Sequence, residues 1–342
     1  FINELSTYRI WKVHYATGVL SLVAGTGVRG NAGDGGLATA ATISGGVMRC
    51  NNDDELFLVS DHKIRKINLS GIISTVAGTG LPGSNGDGGP ATAARISPNG
   101  YNITTDTTGS IYFIDTCNVV RKIDAATGTI SRKAGLTNCG SAPYSGDGAP
   151  ATNAAITAGC IAADNYGNIF IAGNGRVLMV DPAGILSTIC GDGTSGYSGD
   201  GGPATAARIS SDLHGLEADD CGNIFLADYA NARIRKVTLQ TSCTCSRKVA
   251  VEALPDGAVC AGTTVTYTAA ILGGGTATTH QWYVNGVLVG SGGASYCYVP
   301  NDGDSVWCTG SASGGSCIPT TTATSRKKHM SVYATPGISG SL

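Results

Sequence analysis

The sequence predicts an all-β protein: a ring of repeated four-stranded sheets, about five of them with the first incomplete, followed by a smaller β-sandwich. Three observations predict it. A glycine-rich phrase recurs, and its aspartates Asp34, Asp87, Asp147 and Asp200 stand 53, 60 and 53 residues apart. A short alternating strand recurs in step with it, ending on Val13, Ile67, Ile123, Val180 and Val237 at intervals of 54, 56, 57 and 57 residues. The composition agrees, with 51 glycines in 342 residues and only 13% charged residues, which suits many short strands joined by tight turns. A fixed period of this length is the mark of a repeat architecture.

Each repeat reads as four strands. In the last, His214–Asp219 is strand a, Cys221-Gly222-Asn223 a turn, Ile224–Asp228 strand b and Arg233–Val237 strand c. Strand c alternates apolar and charged residues at period two. Ile73–Gly78 shows strand d in an earlier repeat. The phrase Gly199–Ile209, with near copies at Gly86–Ile96, Gly33–Ile43 and Gly146–Ile156, then leads onward. Within it, Asp between glycines predicts a turn, and Pro-Ala-Thr-Ala-Ala predicts one helical turn beginning at Pro. A four-stranded antiparallel unit with this period is a β-propeller blade. Such sheets cannot bury both faces alone, so the ring must close or be capped.

The first group is incomplete. Phe1–Asn3 matches the end of strand b, Tyr8–Val13 strand c and Val19–Ala24 strand d, with no strand a before them. Either upstream chain precedes Phe1 or another segment supplies the strand. The start at Phe1, without Met or a signal peptide, is expected of a processed or partial chain.

Residues 1–250 resemble the NHL-repeat propellers of bacterial secreted and surface proteins. The likeness lies in Thr75–Gly80, Gly86–Ala94, Gly222–Asp228 and Arg233–Val237, which match in order the phrase TVAGTG, GDGGPATAA, GNIFLAD, RIRKV. The resemblance implies six blades, against five strand groups here. Loop positions in an up-and-down blade predict the bridges Cys117–Cys139, and Cys221 to Cys243 or Cys245.

After 250 the phrase stops, and Val251–Gly257 reads as a linker to a module at 251–342. Its strands are expected at Thr263–Ala269, His280–Val284, Val287–Val289, Ala294–Val299 and Asp304–Thr309. Asn285-Gly286 between two of them is a hairpin signal. Trp282 between Cys260 and Cys308 fits an Ig-type sandwich. Gln281–Gly290 and Tyr298–Cys308 resemble Ig-like (PKD/Ig-type) modules of bacterial surface proteins, which lie beside adhesive or sorting segments. Of the three possible pairings, Cys260–Cys317 with Cys297–Cys308 is the expectation. The tail from Ser331 finishes the sandwich or extends to a neighbour.

Twelve cysteines without paired CxxC spacing indicate an oxidising, extracellular or cell-surface setting. A net charge of −2 gives no reason to expect nucleic acid, and no apolar run has the length of a membrane helix. The repeated aspartates are weak Ca²⁺ candidates, since each loop offers one carboxylate where such a site needs about six to eight oxygens. The recurring Arg and Lys of strand c read as the polar face of an alternating strand. The five histidines, His14, His62, His214, His280 and His329, fall at unrelated positions, so no catalytic residues, cofactor or enzymatic activity is expected. Asn68 and Asn102 head sequons, and Thr107 and Ser305 sit in Asp-Ser/Thr-apolar patterns of bacterial O-glycosylation. The function expected is a structural or interaction protein outside the cell, in its sharper form a filament subunit in which one copy's C-terminal segment completes the next copy's first blade. The alternative is an adhesin that holds carbohydrate or protein through propeller loops.

Overall fold

A computed structural model describes residues 1–14, 18–51, 54–98, 103–137, 143–219, 222–239, 248–255, 258–272, 276–313, 323–325 and 327–333. The protein is all-β, built from small antiparallel sheets. It divides into two compact units, one of residues 1–12, 22–68 and 72–241, the other of residues 13–21, 69–71 and 242–342.

Five sheets follow one another through the repeats. The first holds β1 (Ile2–Glu4), β2 (Arg9–Val13) and β3 (Leu20–Ala24). The second holds β4 (Met48–Cys50), β5 (Leu56–Ser60), β6 (Lys63–Ile67) and β7 (Ile73–Ala77). The third is β8 (Ile103–Thr105), β9 (Ile111–Asp115), β10 (Val119–Ile123) and β11 (Ile130–Ala134). The fourth is β12 (Cys160–Ala163), β13 (Ile169–Gly173), β14 (Arg176–Val180) and β15 (Leu186–Cys190). The fifth is β16 (Gly215–Ala218), β17 (Ile224–Asp228) and β18 (Arg233–Val237). Each sheet is a meander whose neighbours in sequence are neighbours in space. The inner strands β4, β8, β12 and β16 adjoin one another in that order. Arg49 of β4 reaches Glu217 of β16 through two bonds of 2.6 Å, joining the inner strands of the second and fifth sheets.

Period-two alternation sends opposite residues of each strand to opposite faces, and both faces are apolar. Leu56, Leu58, Ile67 and Ile73 pack toward Ile10 and Ala24 of the first sheet. Phe57 and Ile64 pack toward Ile111, Phe113 and Ile123 of the third. The same exchange joins the third sheet to the fourth and the fourth to the fifth. Each shared core is sealed by the glycine-rich phrase, whose Ala91, Ala94 and Ile96 are typical buried contributors. The expected helical turn is present as single 3₁₀ turns at Ala38–Ala40, Ala91–Ala93, Ala151–Asn153 and Ala204–Ala206. Gly86 explains the phrase's first glycine. Its φ is +91°, and an added Cβ would lie 2.9 Å from Ala94 Cα, a conformation and an approach open only to glycine.

The second unit holds β19 (Lys248–Leu254), β20 (Val259–Cys260), β21 (Val265–Leu272), β22 (Thr276–Val284), β23 (Val287–Ser291), β24 (Ser295–Tyr298), β25 (Ser305–Ser313), β26 (Ala323–Thr324), β27 (Lys328–His329) and β28 (Val332–Tyr333). One sheet is β19-β21-β24 and another β23-β22-β25-β26. Val249, Val265 and Tyr267 of the first meet Trp282, Val306 and Cys308 of the second in one core. The stretch read as a linker is corrected in part: Val251–Leu254 continues β19, because Val249 and Ala253 alternate inward and are buried. Ser331 leads into β28, which pairs in parallel with β20.

Candidate functional site

The repeated aspartates lie where the phrase crosses the following sheet. Gly35 N–H donates to Ile73 O at 2.8 Å, and Ile73 N–H returns a bond to Gly36 O at 3.0 Å, so the phrase pairs with the outermost strand of the next sheet. This delivers each carboxylate to the third residue of strand c. Arg65 Nη2 donates to Asp34 at 2.7 Å, Arg121 Nη2 to Asp87 at 2.9 Å and Arg235 Nε to Asp200 at 2.9 Å. The rest of each guanidinium is spent alike. Arg65 donates to the carbonyls of Ala32 and Thr42, Arg121 to those of Asn85 and Arg95, and Arg235 to those of Ser198 and Arg208. Five donors in a rigid fork suit this multiple clamp in a way an ammonium does not.

Strand b adds a second anion in two sheets. Asp115 is wholly buried, accepts from Ser97 N–H at 2.7 Å and lies 3.0 Å from Arg121. Asp228 accepts from Ser210 N–H at 2.9 Å and lies 3.6 Å from Arg235. The fourth sheet solves the same problem without Arg. Leu178 occupies the position, and Asp147 instead accepts from Tyr144 Oη at 2.7 Å and Thr188 N–H at 2.6 Å.

The partners set the acidity. Burial alone would raise Asp34, but the Thr75 hydroxyl and the Arg65 guanidinium outweigh it and hold the carboxyl below its ordinary value. At Asp200 the Tyr197 hydroxyl and Arg235 do the same. The Asp34, Asp87, Asp147 and Asp200 carboxylates are thus engaged as latches between successive repeats, and among the described residues no three His, Cys, Asp or Glu side chains gather as cation ligands. On the polar face of strand c, Arg65 and Arg121 are buried because the phrase folds over them.

The cysteines divide. Cys117 is disulfide-bonded, and its expected partner Cys139 lies outside the described residues, as do Cys221, Cys243, Cys245 and Cys317. The two pairings expected in the C-terminal module are corrected, because Cys260, Cys297 and Cys308 are all unbridged. Cys308 is buried on β25 and points into the core, whereas Cys297 is exposed on β24 in the opposite sheet, where its thiol donates to Thr266 Oγ1 at 3.4 Å. Burial pushes the Cys308 thiol up to about 11, and Cys160 likewise.

Thr107 is exposed at the tip of the β8–β9 turn. Ser305 begins β25, its N–H donating to Asn285 Oδ1 at 2.9 Å. Asn68 is half-buried, its side-chain oxygen accepting from Ile72 N–H at 2.9 Å. Asn102 lies outside the described residues.

One further feature escaped the sequence reading. A cleft of about 510 Å³ opens between the second and third sheets, floored by Phe57, Ile111 and Ile123 and rimmed by Glu55, Lys66 and Asp124. Lys66 Nζ and Glu55 pair at 2.8 Å across its mouth. Period and spacing do not mark it, since Lys66 belongs to the recurring strand c and Glu55 and Asp124 lie in the segments flanking the strands.

No protein-family model matches the sequence, and neither does any curated protein. Solved structures do. A candidate phosphatase of Bacteroides thetaiotaomicron is similar over 68% of this chain and 54% of its own, at 18% identity and a TM-score of 0.44. The extracellular domain of a candidate hybrid two-component system from the same organism is similar over 96% of this chain and 48% of its own, at 12% identity and a TM-score of 0.36. The chain thus spans about half the length of these two proteins. A gluconolactonase of Xanthomonas campestris is similar over 65% of this chain and 76% of its own, at 13% identity and a TM-score of 0.26. The expectation of a chain without enzymatic activity is corrected here: similar structures carry enzyme names, so inactivity does not follow from the fold. No helix among the described residues is long and apolar enough to cross a membrane.

Proposed function

We propose that this chain is an extracellular structural or interaction subunit that assembles with copies of itself, an NHL-like propeller joined to an Ig-like module. The observation that carries the reading is the first sheet. Among the described residues it holds β1, β2 and β3, with β1 at its edge, where the second, third and fourth sheets each hold a fourth, inner strand. In the second sheet, Val59 N–H at the matching position donates to Val47 O in the strand-a segment. The matching group in the first sheet, Asn3 N–H, lies on β1, beside which the described residues place no strand other than β2. An unpaired edge is a template for another chain, and addition of an extended segment to it supplies main-chain bonds. The proposed donor is the C-terminal segment of a second copy, and contacts that repeat without closing give a filament. The disulfide at Cys117 supports an oxidising setting outside the cell.

Electron microscopy of the purified native material tests the reading. Fibres with a repeat of one subunit are expected, and single closed particles would overturn it. The cleft between the second and third sheets favours a second reading, an adhesin whose ligand is a carbohydrate, because an apolar floor with a few polar groups at the rim is the usual make-up of a ligand pocket. Glycan-array binding that is lost on Asp124→Ala would favour it.

A further inference from the structure

Once the cleft between the second and third sheets is located, the repeat shows which residues open it. In the turn between strands a and b, the third, fourth and fifth sheets begin with Asp106, Asp164 and Asp219. Each accepts from the N–H four residues on, at 3.0, 2.9 and 2.8 Å. That last residue is neutral in all three: Ser110, Asn168 and Asn223. The second sheet reverses the pair. Asn51 opens its turn and accepts from Glu55 N–H at 2.9 Å, while the Asn51 amide donates to Glu55 Oε2 at 3.2 Å. The carboxylate thus stands at the end of the turn instead of its start, and there it lines the cleft.

The turn between strands c and d departs as well. Ile73 follows Ile67 by six residues and Leu186 follows Val180 by six, but Ile130 follows Ile123 by seven. Asn68 and Asp181 reach forward to the N–H groups of Ile72 and Ile185. Asp124 instead accepts from Ala126 and Thr127 inside the longer turn. At the next position the second and fourth sheets carry Leu69 and Pro182, and the third carries Ala125. A small residue on a longer turn leaves room where its counterparts are bulkier. Two turns, one from each sheet, therefore leave the repeat at the same place, although neither change is needed to build a sheet.

We infer that the cleft binds an uncharged sugar ring, and that Glu55 and Lys66 recognise two of its adjacent hydroxyls. The ionised side chains lining the cleft, Glu55, Lys66 and Asp124, are all matched. Lys66 Nζ pairs with Glu55 at 2.8 Å, and Lys122 Nζ pairs with Asp124 at 3.1 Å. A charged ligand meets no spare countercharge there, so it would give up hydration without compensation. The Glu55–Lys66 pair still has hydrogens and lone pairs to offer, since an ammonium carries three donors and a carboxylate oxygen accepts more than one bond. A donor and an acceptor this close suit neighbouring hydroxyls, one accepting from Lys66 and one donating to Glu55, and such charge-assisted bonds are the strong ones. The floor of Phe57, Ile111 and Ile123 receives the C–H face of the ring. An extended peptide fits less well. The floor and Lys66 belong to β5, β6, β9 and β10, which are paired on both sides and offer no main-chain edge. The inference rests on the adhesin reading above and adds the class of sugar and the groups that select it.

Saturation-transfer NMR titrations of the full chain test this, with glucose, galactose and mannose trisaccharides as uncharged probes and trigalacturonate as the charged counterpart. At least one uncharged probe should bind, and trigalacturonate should not. Glu55→Gln keeps the size of the side chain but removes the charge, and should weaken binding by at least ~10-fold, as expected for loss of a charge-assisted bond. Ala125→Leu gives the third sheet the residue that the second carries at that turn position, and should abolish binding by filling the cleft. Ala125 is exposed, so the fold is not at stake, and an unchanged thermal midpoint checks it. Saccharide binding untouched by both variants places the sugar elsewhere, which overturns the inference and leaves an adhesin standing. Preference for trigalacturonate over the uncharged probes does the same. Binding of no probe overturns the inference and the adhesin reading together.

Discussion

Replacing Arg121 by Met tests the latch between repeats. Arg121 is 1% exposed at its side chain and donates to Asp87, to the wholly buried Asp115 and to the carbonyls of Asn85 and Arg95. Met keeps most of the stem volume but removes the charge and all donors. Asp115 retains Ser97 N–H, Thr116 N–H and the Ser84 hydroxyl, yet its charge is left buried without a counterion. Breaking a buried pair from one side costs about 3–5 kcal/mol. Asp87 stands differently, because its side chain is 42% exposed and water takes over what Arg121 gives up. Asp87→Asn should therefore cost only about 1 kcal/mol or less. Adding Asp115→Asn to Arg121→Met removes the orphaned charge and should recover ~2 kcal/mol, a non-additivity expected of contacting residues. Urea unfolding followed by far-ultraviolet circular dichroism reads all three. An Arg121→Met variant within about 1 kcal/mol of wild type, or an Asp87→Asn variant costing as much as Arg121→Met, would refute the reasoning. The fourth sheet shows that an uncharged solution exists, with Leu178 buried in the same place.

Further outcomes follow from other sites. Gly86→Ala should destabilise by about 2 kcal/mol or more, measured by the same unfolding, because φ is +91° and the new Cβ meets Ala94 backbone at 2.9 Å. Iodoacetamide labelling of the native chain at pH 8, read by mass spectrometry, should modify Cys260 and Cys297 and spare the buried Cys160, Cys190 and Cys308. Asp304 gives a pH dependence. Burial works to raise it, but bonds from Asn301 N–H, the Asn285 amide and the Tyr298 hydroxyl outweigh this and hold it below its ordinary value. A carboxyl depressed on folding contributes stability above the unfolded value of about 3.9, lost as pH falls through the folded one. Asp304→Asn should therefore flatten the fall in stability below about pH 4, and an unchanged acid limb would count against the assignment. Arg49→Met should cost about 1 kcal/mol or less and lose its effect in molar salt, because the Arg49–Glu217 pair is half exposed.

Much of the fold was legible because period-two alternation and turn residues carry it locally. Ile224–Asp228 and Arg233–Val237 read from sequence coincide with β17 and β18. The four copies of Pro- or Leu-Ala-Thr gave the short turns. What failed needed contacts far apart in the chain. Alternation places the third residue of strand c on a polar face, and only the crossing of a phrase some thirty residues upstream buries it. The signal was present in the recurrence of Arg65, Arg121 and Arg235 with Asp34, Asp87 and Asp200, and in the loss of the Arg where Leu178 stands. The pairing of Cys297 with Cys308 failed for a similar reason. Spacing brings the two together, whereas β24 and β25 lie in different sheets and their thiols face different ways. Residues Val251–Leu254 looked like a linker because the phrase had ended, although Val249 and Ala253 already alternate as a strand.

Hydrogen exchange along β1 tests the incomplete first sheet most directly. Mass spectrometry of the N-terminal peptide containing Ile2–Glu4 should show fast exchange in dilute protein, with protection appearing as concentration rises and a neighbour's segment covers the edge. The matching strand β13, paired on both sides within a complete sheet, should be protected throughout. Protection of the β1 amides at every dilution would contradict an open edge waiting for another copy.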